Sequence, residues 1–285
     1  MIRFCVWLLL ACVGVDLCAD GGERVLPGGE QTLILKNRSP LTGRVNGINN
    51  GQLVFVVEQG GGTLEYQVDL DDIERLQFPG DELLSEIAWG PGAKSRDDLQ
   101  SLLSALYAQR SPYLRLLSDR ELAAFVEYAR LLDEDGDPLM ALQIAKSILP
   151  QVSDSALQDR VYELLLRWSY ERERFDDCYA FAVGWAEARQ GQNVPSDAYY
   201  FLAQLSFERR RFDTALWNAL EPIVLSKSHE RLDACYAYAI ASCVELTEYE
   251  HESVLRQEMV DRGLDWPDIP ELANYQQPQD LSIFD

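Results

Sequence analysis

The stretch Tyr170-Glu171-Arg172-Glu173-Arg174-Phe175-Asp176 is answered 37 residues later by Phe207-Glu208-Arg209-Arg210-Arg211-Phe212-Asp213. The same period links Phe125, Tyr162, Tyr199 and Tyr236, and likewise Ala129, Leu166, Ala203 and Ile240. It also links Pro138, Phe175, Phe212 and Tyr249, then Ala141, Cys178, Ala215 and Glu252. A fixed period of this length marks a solenoid, whose units bury their apolar faces only against neighbours. Each unit reads as a helix, a tight turn and a second helix. The spacing predicts first helices over 119–133, 154–173, 196–210 and 230–246, and second helices over 138–149, 175–189, 212–225 and 249–262. Ser118-Asp119-Arg120-Glu121 has the spacing of a capping box and opens the array.

The chain has 285 residues, of which 47% are hydrophobic, enough for two folded domains. Its formal charge of −22 argues against a nucleic-acid partner, because polyanion binding draws on clustered Lys and Arg. At the N-terminus, Arg3 precedes an apolar run from Phe4 to Val15, and Leu17-Cys18-Ala19 offers a small-residue cleavage point. This is the pattern of a signal peptide over 1–19, and the run is too short to span a bilayer. Leu9-Leu10-Ala11-Cys12 resembles a bacterial lipoprotein box, which would make Cys12 the lipidated residue. Cleavage at Ala19 leaves Cys178, Cys235 and Cys243, at least two of them expected as buried structural thiols: Cys235 and Cys243 lie too far apart on one helix for a disulfide, and no C-x-x-C suggests metal or redox chemistry.

Ahead of the array the pattern has period two. Strands are predicted over 32–35, 41–48, 53–57, 63–68 and 73–78, with Asn49-Asn50-Gly51 and Gly60-Gly61-Gly62 as turns. Five short strands in so few residues are expected to bury their faces by curling into a small barrel over 24–79. The segment resembles the SH3-like and Sm-like barrels of some exported bacterial proteins. Family members that bind RNA use basic loops, whereas Gln31 to Phe78 holds four basic residues against six acidic ones. A linker over 80–96 and a lead-in helix within 97–117, with Leu99, Leu102, Leu103 and Leu106 on one face, join this unit to the repeats over 118–263. The fold class is α+β, a small β-barrel followed by an all-α solenoid, with an extended tail over 264–285.

The repeats resemble the tetratricopeptide family, whose pattern the aromatic columns and the small residues Ala129, Ala203, Ala141, Cys178, Ala215, Ala145, Ala182 and Ala219 follow. The fourth unit departs, with Glu252 and Arg256 where small residues belong, as in a polar terminal cap. The aromatic columns are expected as core, and Tyr199→Ala is expected to unfold or strongly destabilise the array. The resemblance implies a concave face built from first helices and lined by Arg130, Asp133, Glu134, Arg167, Tyr170, Glu171, Gln204, Phe207, Glu208, Ala241, Val244 and Glu245. Glu134, Glu171, Glu208 and Glu245 form one column. They read either as local pairs, Arg130 with Glu134 and Arg167 with Glu171, or as an acidic groove for a basic or amide-rich peptide. Tyr170 and Phe207 are the candidate partner anchors.

Catalytic and metal motifs are not found. His229 and His251 lack metal-ligand spacing, and no nucleophile elbow, phosphate loop or dinucleotide fingerprint occurs. Asp133-Glu134-Asp135-Gly136-Asp137 hints at a calcium loop, but Pro138 stands where Gly is needed and Ile144 where Glu is needed. The expectation is therefore a non-catalytic protein-interaction scaffold of the bacterial periplasm or cell envelope, with no cofactor or metal, binding a protein or peptide. Alternatives are a lipid-anchored envelope-assembly protein and an enzyme with a site between barrel and solenoid. The tail, Asn274 to Asp285, is a further candidate to fold back into the concave groove and regulate access.

Overall fold

The computed structural model describes residues 29–80, 84, 95–189, 195–226 and 230–277. The expected signal segment, Cys12, the start of the expected barrel at 24–28, most of the 80–96 linker, His229 and residues 278–285 lie outside the described residues.

Five antiparallel strands come first: β1 (Gln31–Leu35), β2 (Leu41–Asn49), β3 (Gln52–Gln59), β4 (Gly62–Asp69) and β5 (Ile73–Gln77). Two-residue turns join β2 to β3 and β3 to β4. Asn50-Gly51 and Gly60-Gly61 all have positive φ, between 50° and 84°, matching the twist of the strands they connect. The strand order is β4-β3-β2-β1-β5, and the two edge strands do not pair with each other. The sheet is thus open where the sequence suggested a closed barrel. Its apolar face, with Leu33, Leu53, Phe55 and Leu76 fully buried, shares one hydrophobic cluster with Leu102, Leu103, Leu106, Leu116 and Phe125. Helices cover that face, so curvature alone does not have to.

Nine α-helices follow among the described residues. The lead-in helix α1 (Arg96–Arg110) starts at Ser95, whose hydroxyl accepts from Asp98 N at 3.2 Å. Four hairpins come next: α2 (Asp119–Glu134) with α3 (Pro138–Ile148), α4 (Ser155–Glu171) with α5 (Phe175–Ala188), α6 (Ser196–Glu208) with α7 (Phe212–Leu225), and α8 (Leu232–Glu245) with α9 (Tyr249–Asp261). The Ser118–Glu121 capping box at the start of α2 is formed in both directions. Each helix packs on its hairpin partner, and the first helices α2, α4, α6 and α8 lie side by side. Where hairpin helices cross, Ala129, Leu166, Ala203 and Ile240 are fully buried, as are Ala141, Cys178 and Ala215.

The 37-residue period reaches the backbone. Gly136, Glu173, Arg210 and Thr247, one per hairpin turn, all have left-handed φ (87°, 55°, 57° and 61°). In each turn the next residue's N–H reaches back to a carbonyl in the last turn of the first helix: Asp137 to Leu132, Arg174 to Ser169, Arg211 to Ser206 and Glu248 to Cys243, at 2.8–2.9 Å. The accompanying bonds Gly136 to Asp133, Glu173 to Tyr170, Arg210 to Phe207 and Thr247 to Val244 complete a Schellman cap four times over.

Sheet and solenoid meet at an ion pair. Arg110 at the end of α1 donates to Glu121 at 2.7 Å, and both side chains are all but excluded from solvent. The Arg110 guanidinium also lies 4.8 Å from the ring centroid of Phe78, just after β5. Leu103, Leu106 and Leu116 are buried in the hydrophobic cluster around this pair.

After α9 the chain turns at Gly263 and a 3-10 turn, Pro270–Tyr275, packs back on α8. Leu272 is fully buried in the cluster formed by hairpins two to four.

Candidate functional site

The first-helix face is the one the tetratricopeptide resemblance assigns as concave, and its expected lining residues fall into two groups. Over the first two hairpins it is a lattice of ion pairs. Arg130 binds Glu127 (2.6 Å) and Glu134, Arg96 reaches Glu134 (2.9 Å) and Asp135 (2.7 Å), and Arg160 reaches Glu127 (3.3 Å). The Arg130 hydrogen bond, more than the charges around it, holds the Glu127 carboxyl below its ordinary range. Asp133 accepts from Arg172 at 2.5 Å. The anticipated Arg130–Glu134 pair is present. The Arg167–Glu171 pair is not: Arg167 points to solvent and Glu171 lies 3.7 Å from Arg172.

Over hairpins two to four the face is aromatic. Tyr170 packs on Phe175 and Phe201, each at 5.6 Å between centroids, and Phe207 packs edge-on against Phe212 (5.2 Å) and Tyr238 (5.6 Å). Tyr200 adds contacts to Phe201 (5.3 Å) and Tyr238 (6.1 Å). A polar chain threads these rings. Gln204 Nε2 donates to the Tyr170 hydroxyl, which donates to Glu208 Oε1 at 3.0 Å. Burial raises the pKa of Tyr170, and the neighbouring carboxylate Glu208 raises it further, so the phenol stays protonated and donating.

Onto this surface the chain lays its own C-terminal segment. Glu271 Oε1 accepts from the Tyr238 hydroxyl at 2.9 Å and faces Gln204 Nε2 at 3.5 Å. Tyr275 stands edge-on to Phe207 at 5.7 Å and donates to Glu245. From α9, Arg256 donates to the backbone carbonyls of Tyr275 (2.6 Å), Gln276 (3.0 Å) and Gln277 (3.4 Å), while its Nε holds Glu252 at 2.7 Å. The two polar departures from the repeat pattern, Glu252 and Arg256, are therefore the clamp that holds the tail. The docked stretch begins at Pro270, four residues before the segment the sequence singled out, and 278–285 lie outside the described residues.

The Glu column is not one continuous acidic groove. All four members are exposed but each is engaged by its own chain: Glu134 by Arg130 and Arg96, Glu171 by Arg172, Glu208 by Tyr170, and Glu245 by Tyr275. Ala241 and Val244, expected in the lining, are buried. Sequence reasoning missed Tyr200, Tyr238, Glu271, Leu272 and Tyr275. A signal was present. The segment that forms α8, Leu232-Asp-Ala-Cys-Tyr-Ala-Tyr-Ala-Ile-Ala-Ser-Cys-Val-Glu245, is apolar around its whole circumference, which requires a cover on every side.

The described cysteines are free and buried, and burial lifts Cys178 and Cys235 to about 12 and Cys243 to about 11. No group of three or more His, Cys, Asp or Glu suited to a metal ion occurs among the described residues, and no described helix is long and apolar enough to cross a membrane.

No family model matches the chain, and no curated protein matches it. Among solved structures it is similar to one described as the crystal structure of MamA, at 11% identity and a TM-score of 0.45, over 59% of this chain and 91% of that one. A second, described as the crystal structure of MamA protein, is similar at 10% identity and a TM-score of 0.42, over 64% of this chain and 98% of that one.

Proposed function

We propose that this protein is a non-catalytic scaffold that binds a protein or peptide partner on the first-helix face of its solenoid, centred on Tyr170, Gln204, Phe207 and Glu208. Arg130, Glu134, Arg167, Glu171 and Glu245 form the polar margins of that face. One observation carries the reading: this surface already holds a peptide segment, Pro270–Tyr275, through rings, phenol hydroxyls and a carboxamide. A face that orders one short segment has the aromatic anchors and directional donors that peptide recognition uses. The proposal includes export to the periplasm or cell envelope, which rests on the apolar run from Phe4 to Val15 and the small residues before Asp20. It also includes kinship of the N-terminal sheet with SH3-like or Sm-like folds, supported by its five strands and the short turn before the last of them.

The test is affinity capture from the envelope fraction with the wild-type chain and a Tyr170→Ala/Phe207→Ala variant, followed by cross-linking to locate the contact. A partner captured by both chains alike would move the binding surface elsewhere. The mass of the mature N-terminus decides the route: Asp20 indicates cleavage, and a diacylated Cys12 indicates the lipid-anchored form.

A further inference from the structure

Gln204 is 95% buried, at 5% exposure, and its two amide atoms are treated unequally by the tail. Nε2 is used twice, toward Tyr170 and Glu271, whereas Oε1 is buried without a hydrogen-bond donor. The orientation of the amide is set by its neighbours, because turning Oε1 toward the Glu271 carboxylate would oppose two acceptors. A buried amide oxygen left unpaired costs about 1–3 kcal/mol. The tail also places Glu271 near Glu208, whose carboxyl is raised above its ordinary value by burial and by the Glu271 charge, against the Tyr170 bond and Arg209 that lower it. The resident segment thus fits the apolar and aromatic parts of the site and misfits its polar centre.

We infer that the tail is a displaceable occupant, and that the site takes a partner segment bearing a carboxamide, Asn or Gln, at the place of Glu271, with an aliphatic and an aromatic residue at the places of Leu272 and Tyr275. This rests on the partner-binding reading above. A carboxamide oxygen accepts from Tyr238 and Gln204 as Glu271 does. Its NH2 group supplies the donor that Gln204 Oε1 lacks, and it brings no second charge beside Glu208. The Arg256 clamp acts only on backbone carbonyls, which any extended segment presents.

The probes are two fluorescently labelled peptides: residues 266–277, and the same peptide with Glu271→Gln. They are titrated by anisotropy against the full wild-type chain and against a Glu271→Ala/Tyr275→Ala chain, whose substitutions leave buried Leu272 in place. The opened chain is expected to bind the Gln peptide about tenfold more tightly than the Glu peptide, the worth of roughly one buried hydrogen bond with its partner. The wild-type chain is expected to bind either peptide at least about tenfold more weakly than the opened chain, because its own tail competes. Adding Gln204→Leu to the opened chain should erase the preference for Gln. Equal affinity for the two peptides, equal binding by wild-type and opened chains, or a preference that survives Gln204→Leu would each overturn the inference. Should the double variant lose its helical circular dichroism, Tyr275→Ala alone serves as the opened chain. Failure of the envelope capture with these peptide results intact would reject the scaffold reading, and the reverse pattern would reject only the carboxamide site.

Discussion

Phe125 and Tyr199 stand in the same column of the repeat but not in the same surroundings. Phe125 is 1% exposed and meets Tyr107 edge-on at 5.2 Å, while Tyr199 is half-buried at the start of α6. Its neighbour Tyr200 has turned inward instead and contacts Phe201 and Tyr238. The strong destabilisation expected from Tyr199→Ala therefore belongs to Phe125→Ala, at about 3–5 kcal/mol by urea unfolding, with Tyr199→Ala well below it. The column was legible because spacing is written in the sequence. Which of two adjacent tyrosines points inward depends on helix rotation, which spacing does not resolve. A second prediction concerns Glu208. Glu208 is exposed as a residue, but the groups packed around its carboxyl partly desolvate it and raise its folded-state value, so the folded state holds its proton more strongly than the unfolded chain does. Stability is accordingly lost as pH rises from the ordinary carboxylate range through the raised folded value. Glu208→Gln keeps an acceptor for Tyr170 and removes the charge. Thermal unfolding should then show a gain over wild type at pH 7 that vanishes near pH 4. An equal difference at both values would assign the change to packing.

At the scale of elements, the hairpin turns show what periodicity can hide. The left-handed column reads Gly136, Glu173, Arg210, Thr247, so only the first copy carries the residue that such a backbone favours. The caps themselves are bonds between backbone groups, and no side-chain pattern announces them. Helix limits were nonetheless legible to within one or two residues at most ends, since the apolar columns fix where each helix must face its neighbours. The cover over α8 was less so, because an all-apolar helix states that it is buried without stating by what. Thr247 is the costliest member, since a β-branched residue in the left-handed region crowds its own backbone. Thr247→Gly relieves that crowding and adds chain entropy to the unfolded state, leaving a net gain of about 0.5–1 kcal/mol. Gly136→Ala imposes the opposite change and should destabilise by a similar amount. Chemical denaturation of both single variants checks the pair, and the same sign for both would reject the cap as the cause.

Across the whole molecule, the described core divides between two clusters that meet within α4. One runs from Leu33 and Phe55 of the sheet through the first hairpin to Leu165 and Trp168; the other runs from Tyr162 and Leu166 through the last hairpins to Leu272. Solenoid units interact only with their neighbours, so damage at one end need not spread to the other. The Arg110–Glu121 pair is a buried polar bond of the first cluster, and removing one member strips a buried charge of its closest counter-charge, at about 3–5 kcal/mol. Leu272 holds the tail in the second, and truncating it opens a cavity at about 2–5 kcal/mol. In hydrogen exchange, Glu121→Ala should therefore deprotect the amides of β1–β5, α1 and α2 while those of α6 to α9 keep theirs, and Leu272→Ala should do the converse. The tail is thus both a part of the second cluster and, by the inference above, an occupant to be displaced. Those roles are compatible only if its release costs less than unfolding the hairpins beneath it. Exchange in 270–277 should then be faster than in α8 in the wild-type chain, whereas equal protection of the two would mean that the tail leaves only when the hairpins open.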